Sequence, residues 1–537
     1  MYDDQTTVTG MSDERAWRKY CGFLDLTPAG FMEVQRQRLL DALPLLAGSA
    51  LGRSLMDGQT PRSVDEFRDS VRLTDYESYI PVFDSGRAAE LPEAPIFWAR
   101  TSRRNSDQTN IPYTELAFEQ LQDACTAAFM LASAEGSGHS NLQVNDRVLY
   151  NLPPLPFLSG KLAEGLEERL NLRPVLGHQA VDGMDFHEKV ALGFENALDG
   201  GVNAVASMTS VLLKMGQAFE HKRSKGNKRK LLRRPKTAIR MLRGLIAAKL
   251  GKRNLLPRDL WPVKALICWG TDTDVHREAL TRYWGVEPYE FLAISEAGIM
   301  ATQGWNKRGM TFFPGTNFLE FIADDELARE RRSPHLDPAT HLMDDLEVGH
   351  SYEVVITSCN GMPFVRYRTG ELVEVIAAQD RETGVMLPQF TLLGRADQLI
   401  DMEGFTRLDE NTMGRAVGAI SGAIEWTARK EYEDGSPILR VYAEGVDDVA
   451  AFQEALHLSL VEQDNYYRDL LTMLEVHPMR ASAVRAGSFK AFYENRRALG
   501  VALDARTMPR MNATDEELLE LMGARPEHSA VRLESAA

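Results

Sequence analysis

The sequence has few cysteines and lacks long apolar runs. Its four cysteines among 537 residues, Cys21, Cys125, Cys268 and Cys359, lie far apart and form no C-x-x-C pair. This spacing suggests neither a zinc site nor a disulfide framework. No apolar run approaches the roughly 18 residues that span a bilayer, and the acidic N-terminus has neither the basic nor the apolar region of a signal peptide. We therefore expect a cytoplasmic protein without a membrane partner.

An excess of positive charge is also lacking. The net charge is −16, which disfavours non-specific binding to nucleic acids and anionic membranes. The exception is the segment 221–255, which is dense in Lys and Arg but has no aromatic residue to stack on bases, so we expect no nucleic acid there. Its Ile239, Leu242, Leu245 and Ile246 recur at helical spacing. The segment is either a solvated helix pair over the core or a docking patch for an acidic partner, such as a carrier protein.

The length and the alternation of patterns predict more than one domain. A chain of 537 residues is too long for a single core. Strand and helix patterns alternate between about 95 and 300, which predicts an α/β fold with a largely parallel sheet flanked by helices. We expect a helix over Asn203–Phe219, and an interruption at Pro44 of the helix that starts near Phe31. Beyond residue 395 the pattern changes to a smaller α+β domain. The predicted domains are residues 1–394 and 395–537.

Two motifs in the middle of the chain indicate nucleotide chemistry. The run Arg366-Tyr-Arg-Thr-Gly-Glu371 lies between two strand patterns, and the turn Gly394-Arg-Ala-Asp397 follows the next strand. An acidic residue after Thr-Gly at a strand start can accept hydrogen bonds from both hydroxyls of a ribose. A Gly-Arg-x-Asp turn can act as a hinge between two bodies. Each motif alone is typical of a surface β-elbow, but their order and spacing favour a two-domain enzyme that uses a nucleotide.

Three loops are candidates for the ligand site. Ligands of parallel α/β sheets bind beyond the carboxyl ends of the strands, where we expect the loops 101–110, 270–274 and 295–298. The last loop contains Ser295 and Glu296. This pair is either part of the site or the N-cap of a following helix.

The ordered motifs resemble the adenylate-forming superfamily, and several resemble its branch of auxin-responsive acyl-acid amido synthetases. The resemblance covers roughly residues 30 to 512. It implies a large acyl- and nucleotide-binding domain with mixed or parallel sheets flanked by helices, followed by a small α+β C-terminal lid. The segments that carry it include Leu73–Tyr79, Ile111-Pro112, Phe318–Ile322, Arg366–Arg368 and Asp464–Arg468.

The resemblance implies two half-reactions with ATP and Mg²⁺. A small carboxylic acid attacks the α-phosphate of ATP and releases pyrophosphate, and an amine then attacks the acyl-adenylate. Among the implied catalytic residues, Ser295 lies against the α-phosphate, Glu296 is the metal ligand, and Arg395 reaches the ribose or the phosphates. Asp397 is the implied hinge. The implied cofactor-binding residues are Thr101, Ser102, Arg103, Arg104, Ser106, Gly270, Tyr367 and Glu371, the last of which takes the ribose hydroxyls.

The phosphate-facing positions depart from the family's pattern. The loop Thr101–Asp107 contains no glycine, although glycines let backbone N–H groups approach phosphates closely. Arg103 and Arg104 can bind phosphate as forks, whereas Asp107 repels it. Thr507 stands where the branch has a Lys. Three hypotheses remain: a diverged ATP-dependent ligase, a relative that has lost adenylation and performs another acyl-transfer, condensation or hydrolytic step on a pre-activated substrate, and a non-catalytic homologue.

Overall fold

The chain forms two compact units, which we describe separately. The first comprises residues 13–101 and 109–395, and the second begins at Ala396. The sequence analysis placed the boundary one residue earlier. The computed structural model describes residues 13–101, 109–150, 158–177, 186–220, 235–269, 273–332, 337–396, 399–402, 406–420, 425–433, 436–464, 467–468, 470, 477–498 and 508–523.

Both units contain helices. Those of the first unit are α1 (Asp13–Tyr20), α2 (Pro28–Gly48), α3 (Ala50–Leu55), α4 (Val64–Ser70), α5 (Ile80–Phe83), α6 (Glu115–Ser133), α7 (Leu158–Leu170), α8 (Phe186–Gly200), α9 (Thr209–Glu220), α10 (Pro235–Leu250), α11 (Pro257–Leu260), α12 (Thr273–Trp284) and α13 (Asp324–Arg332). Those of the second are α14 (Glu410–Gly418), α15 (Val449–Gln463), α16 (Ser488–Ala498) and α17 (Asp515–Leu521). Within the described residues, no helix has the length and hydropathy needed to cross a bilayer.

The strands of the first unit come mainly from its second half. They are β1 (Phe97–Thr101), β2 (Thr109–Tyr113), β3 (Arg147–Tyr150), β4 (Arg173–Pro174), β5 (Ala204–Met208), β6 (Ala265–Trp269), β7 (Tyr289–Ile294), β8 (Gly298–Gln303), β9 (Met310–Phe312), β10 (Asn317–Ala323), β11 (Ser351–Ser358), β12 (Tyr367–Ala377) and β13 (Gln389–Arg395). The second unit contains β14 (Ile400–Met402), β15 (Thr406–Leu408), β16 (Glu425–Glu433), β17 (Ser436–Glu444) and β18 (Met479–Val484).

A mixed sheet organises the first unit. Its strand order is β10-β11-β12-β13-β9-β8-β7-β6-β5-β3-β4. The pairs from β4 to β7 are parallel, and those from β7 to β10 are antiparallel. The predicted α/β class with mixed sheets is confirmed, although the expected largely parallel arrangement holds only for the β3–β7 half. The strands β1 and β2 form a separate antiparallel hairpin, so the loop after Thr101 does not follow a strand of the large sheet.

Two secondary-structure predictions are wrong. The expected helix over Asn203–Phe219 begins only at Thr209, because Ala204–Met208 form β5. All five residues of β5 are buried, and a short strand buried on both faces cannot be distinguished from a helical segment by its periodicity. Helix α2 continues through Pro44 instead of ending there. Proline removes only one intrahelical N–H donor, and packing compensates, since the neighbouring Leu43 and Leu46 are buried.

The regularly spaced apolar residues of helix α10 do not face the core. Ile239, Leu242, Leu245 and Ile246 are all exposed, each by more than half of its surface. The side of α10 that packs on the first unit contains smaller residues, such as Ala248.

The second unit has the small α+β pattern expected from the sequence. The strands β16, β17 and β18 form a three-stranded sheet, in which β16 and β17 are antiparallel and β17 and β18 are parallel. Apolar residues of α14 and α15 pack with this sheet in one core that includes Met413, Leu456 and Val441.

Candidate functional site

Ser295 and Glu296 lie in a tight β-hairpin turn. Strands β7 and β8 pair antiparallel with Ile294 opposite Gly298, so Ser295, Glu296 and Ala297 form the connection. Gly298 has a φ of 70°, a backbone conformation that residues with a Cβ rarely adopt. The alternative interpretation of Ser295 and Glu296 as a helix N-cap is therefore wrong, because no helix follows them.

Two tyrosine hydroxyls hold this turn. The hydroxyl of Tyr113, at the end of β2, donates to the backbone carbonyl of Ser295 at 2.7 Å. The hydroxyl of Tyr367, at the start of β12, donates to Oε1 of Glu296 at 3.3 Å. Burial, and next the charge of Glu296, raise the pKa of Tyr113 well above its usual range, so its hydroxyl stays protonated and can donate. The turn is thus fixed by strands that are distant in sequence.

Packing fixes the position of Tyr367. Its ring lies 4.9 Å from that of Phe364 and 5.8 Å from that of Tyr79, measured between ring centroids. Thr74 forms a parallel bridge with Tyr367, in which its N–H donates to Arg366 O and its carbonyl accepts from Arg368 N, both at 2.9 Å. The Leu73–Tyr79 segment therefore supports the start of β12.

The arginines on either side of Tyr367 are engaged in structural ion pairs. Arg366 has a φ of 42°, and its buried guanidinium donates to both carboxylate oxygens of Glu320 at 3.0 and 2.8 Å. Arg368 pairs with Glu353 at 2.6 Å and with Glu330 at 2.6 Å. Burial lowers the pKa of Arg368, but the two carboxylates together outweigh burial and raise this pKa above its usual range. Neither arginine is available to bind a phosphate in this conformation.

Glu371 and Arg395, which the sequence analysis assigned to the nucleotide, contact each other. They are register partners on β12 and β13, and they form an ion pair in which both side chains are nearly buried. The Arg395 Nη2 also donates to the carbonyl of Thr369 at 3.1 Å. The Thr369 hydroxyl accepts from the Glu371 N–H at 3.1 Å. The predicted ribose anchor is therefore braced by the predicted hinge arginine.

Several predicted site residues lie outside the described part of the chain. For Thr101 the structure gives the backbone position at the end of β1, opposite Thr109. The predictions for Ser102, Arg103, Arg104, Ser106, Gly270, Asp397 and Thr507 concern residues outside the described ranges. The described residues thus bring together Ser295 with Glu296 and Tyr367, and separately Glu371 with Arg395.

The surroundings of Glu296 would allow its carboxylate to be one of the ligands of a metal–nucleotide complex. Its side chain is buried and accepts from Tyr367, and among the described residues it forms no ion pair with Lys, Arg or His. A buried carboxylate without a cation is costly. Magnesium is commonly bound by one or two carboxylates together with phosphate oxygens. Within the described ranges, no cluster of three His, Cys, Asp or Glu residues could hold a metal alone, so a metal ion at Glu296 would need further oxygen ligands, such as those of a nucleotide phosphate.

A small cavity lies behind the turn. Its volume is about 10 Å³, and its lining includes Tyr113, Ala297, Gly298 and Met362. This is room for about one water molecule, not for an acyl chain. The ring of Tyr113 lies in the core and stacks on that of Phe97, with 5.3 Å between the ring centroids.

Sequence reasoning missed the partners that define this site. It assigned no contact at the site to Tyr113, Glu320 or Thr369. The Tyr-x-x-Gly spacing at the start of β12 gave no indication of a contact with Glu296, because that contact depends on the pairing of distant strands.

Comparisons with known proteins agree with this architecture. The family model described as the GH3 family central domain matches residues 310–395, which include Tyr367, Glu371 and Arg395. No curated protein sequence matches the chain.

Among solved structures, an acyl acid amido synthetase in complex with 2,4-DB shares 14% identity over 97% of both chains, with a TM-score of 0.52. A 2-hydroxyisobutyryl-CoA ligase in complex with 2-HIB-AMP and CoA shares 14% identity over 90% of this chain and 92% of its own, with a TM-score of 0.55. At this identity the likeness concerns the fold. The predicted resemblance is thus confirmed by the family model over residues 310–395 and, for the fold, by the solved structures.

Proposed function

We propose that the chain is an ATP-dependent ligase that activates a small carboxylic acid as an acyl-adenylate and transfers the acyl group to an amine. The observation that carries this proposal is the buried carboxylate of Glu296 in the β7–β8 turn, oriented by Tyr367. It lies in a fold that resembles both an acyl acid amido synthetase and an acyl-CoA ligase.

The roles of the residues follow from their chemistry. Magnesium-bound ATP supplies the electrophilic phosphate that makes the carboxylic acid reactive. Glu296 would hold the metal, and Tyr367 would keep its carboxylate oriented by donating a hydrogen bond. Ser295 would present its hydroxyl next to the α-phosphate, while Tyr113 holds its backbone in place. Glu371 would accept hydrogen bonds from the ribose hydroxyls.

The second unit is proposed to act as the lid, with Asp397 as its hinge, because lids exclude water and complete the catalytic residues in many enzymes. The cytoplasmic location and the acidic carrier protein as a partner also remain proposals. The identities of the acid and the amine would be set by a pocket larger than the cavity described above.

The test is carboxylate-dependent exchange of pyrophosphate into ATP, measured with a panel of acids. We expect exchange with the unaltered chain and at least about a hundredfold loss in Glu296→Gln, because a metal–phosphate contact that develops in the transition state is worth about 3 kcal/mol or more. The matched control is Glu290→Gln, which removes another buried carboxylate, one that lies on the preceding strand β7 and is paired with Arg277. No exchange with any acid, together with no stabilisation of the fold by MgATP, would reject the proposal.

A second candidate function is favoured by the loop Thr101–Asp107, which lacks glycine. A relative that has given up adenylation would act on a pre-activated acyl substrate without ATP. Turnover of an acyl-thioester in the absence of ATP, abolished by Glu296→Gln, would establish this candidate in place of the first.

A further inference from the structure

The exposed side of α10 carries a continuous aliphatic stripe. Ile239, Leu242, Ile246 and Leu250 are exposed by 54%, 60%, 52% and 81%. Their spacing of three, four and four residues places them on one face of a helix. Scattered exposed apolar residues are ordinary, but a contiguous group of this kind on a protein surface marks an interaction site.

The packing of α10 fixes the direction in which this aliphatic stripe points. Thr237 and Ala248, on the opposite face, are 1% and 3% exposed. At Gly244 a Cβ atom would lie 2.9 Å from the side chains of both Leu255 and Leu260, so the helix approaches its neighbours closely there. Rotation of α10 to bury the stripe would force the larger Ile and Leu side chains into this close contact. The close packing of the opposite face therefore keeps the aliphatic stripe exposed.

Positive charge accompanies the aliphatic stripe. Lys236, Arg243 and Lys249 on α10 are exposed, and at helical spacing they lie along the two sides of the stripe. The sequence 221–255 contains 14 Lys and Arg and no Asp or Glu, whereas the rest of the chain contains 47 Lys and Arg against 77 Asp and Glu. The cationic charge is thus concentrated on one segment of an otherwise acidic protein.

We propose that α10 is the docking surface for a small acidic helical protein of the carrier class, which would deliver one of the two substrates. The partner would cover the aliphatic stripe with an apolar groove and pair its acidic rim with Lys236, Arg243 and Lys249. The 16 residues of α10 span about 24 Å, which is the scale of one helix of a small domain. The proposal that the partner delivers a substrate rests on the proposed ligase function, but the proposal of a docking surface does not.

The acidic character of the chain outside residues 221–255 favours a protein partner over an anionic membrane. A membrane is a broad surface, and docking to it would bring its negative charge near other acidic parts of this protein. A compact partner need meet only the cationic segment, because charges farther away than a Debye length of about 8 Å are largely screened.

The experiment measures binding of two purified acidic carrier proteins in holo form, an acyl carrier protein and a peptidyl carrier protein, to the full chain by biolayer interferometry. We expect at least one to bind, with about tenfold weaker binding for Leu242→Asp and about a hundredfold for Leu242→Asp with Ile246→Asp. Arg243→Glu should weaken binding and reduce its salt dependence. The matched control is Leu458→Asp, which alters an exposed leucine of another helix, α15, with a similar exposed fraction of 53%.

The outcomes are distinct from those of the ligase test. Binding that depends on the aliphatic stripe supports the docking surface even if no free acid supports pyrophosphate exchange. Failure of both carrier proteins to bind, or equal binding by the stripe variants, would overturn it. Stripe-dependent binding to vesicles of phosphatidylglycerol, with none to the carrier proteins, would overturn it in favour of a membrane surface.

Discussion

The ion pair between Glu371 and Arg395 decides whether this part of the protein is a brace or a ribose anchor. The exposed fractions of the two side chains are 7% for Arg395 and 6% for Glu371. Removal of one partner of a buried ion pair costs about 3–5 kcal/mol, because the other charge remains buried without compensation. In Glu371→Gln the Arg395 guanidinium keeps its hydrogen bond to the Thr369 carbonyl. We therefore expect the free energy of unfolding to fall by about 3 kcal/mol, the lower end of this range.

Urea unfolding followed by tryptophan fluorescence can measure this loss. Of the seven tryptophans, only Trp426 belongs to the second unit, so the signal reports mainly on the first. With a urea dependence of about 3 kcal/mol per M, the transition midpoint should fall by about 1 M. The double variant, Glu371→Gln with Arg395→Gln, should lose less than the sum of the single variants, because the two side chains form one ion pair that either single substitution already removes.

The result that would refute this reasoning is a small shift. If Glu371→Gln moves the midpoint by less than about 0.3 M, equivalent to about 1 kcal/mol, the ion pair contributes little. If the same variant then abolishes the stabilisation by MgATP, Glu371 serves mainly as the ribose anchor. A large loss of stability with unchanged stabilisation by MgATP would instead identify the pair as a brace alone.

Three further predictions concern other parts of the chain. Glu320→Gln leaves the buried Arg366 without its carboxylate and should destabilise the first unit by about 3 kcal/mol, and unchanged urea unfolding would contradict this. Gly298→Ala should cost about 1–2 kcal/mol, because its φ is 70°, whereas Gly48→Ala, at a helix end with open space, should change the unfolding free energy little. Burial, and next His477, lower the pKa of His457, so the unfolded state binds a proton at higher pH than the folded state. The contribution of His457 to the stability of the second unit should therefore be fully present above about pH 6.5 and decline as the pH falls below it. His457→Gln should flatten this decline, measured as the difference in fluorescence between the chain and a Trp426→Phe variant during unfolding at each pH.

The sequence by itself determined the order of the motifs and the chemistry of single positions. The Arg366–Glu371 run, the Ser295-Glu296 pair and the turn at Gly394 were each identified from local residue types. Alternating strand and helix patterns predicted an α/β fold, because periodicity records which residues alternate between the protein interior and solvent. The absence of glycine from Thr101–Asp107 is likewise readable without coordinates.

Only the tertiary structure decided which residues meet. Tyr367 reaches Glu296 because the strands that carry them pack in one unit, although 71 residues separate them. Glu371 faces Arg395 because the register of β12 and β13 sets them opposite each other, and no local pattern specifies a register between strands. The outward direction of the α10 stripe was hidden for a related reason: helical spacing shows that one face is apolar, but only packing shows whether another element covers that face.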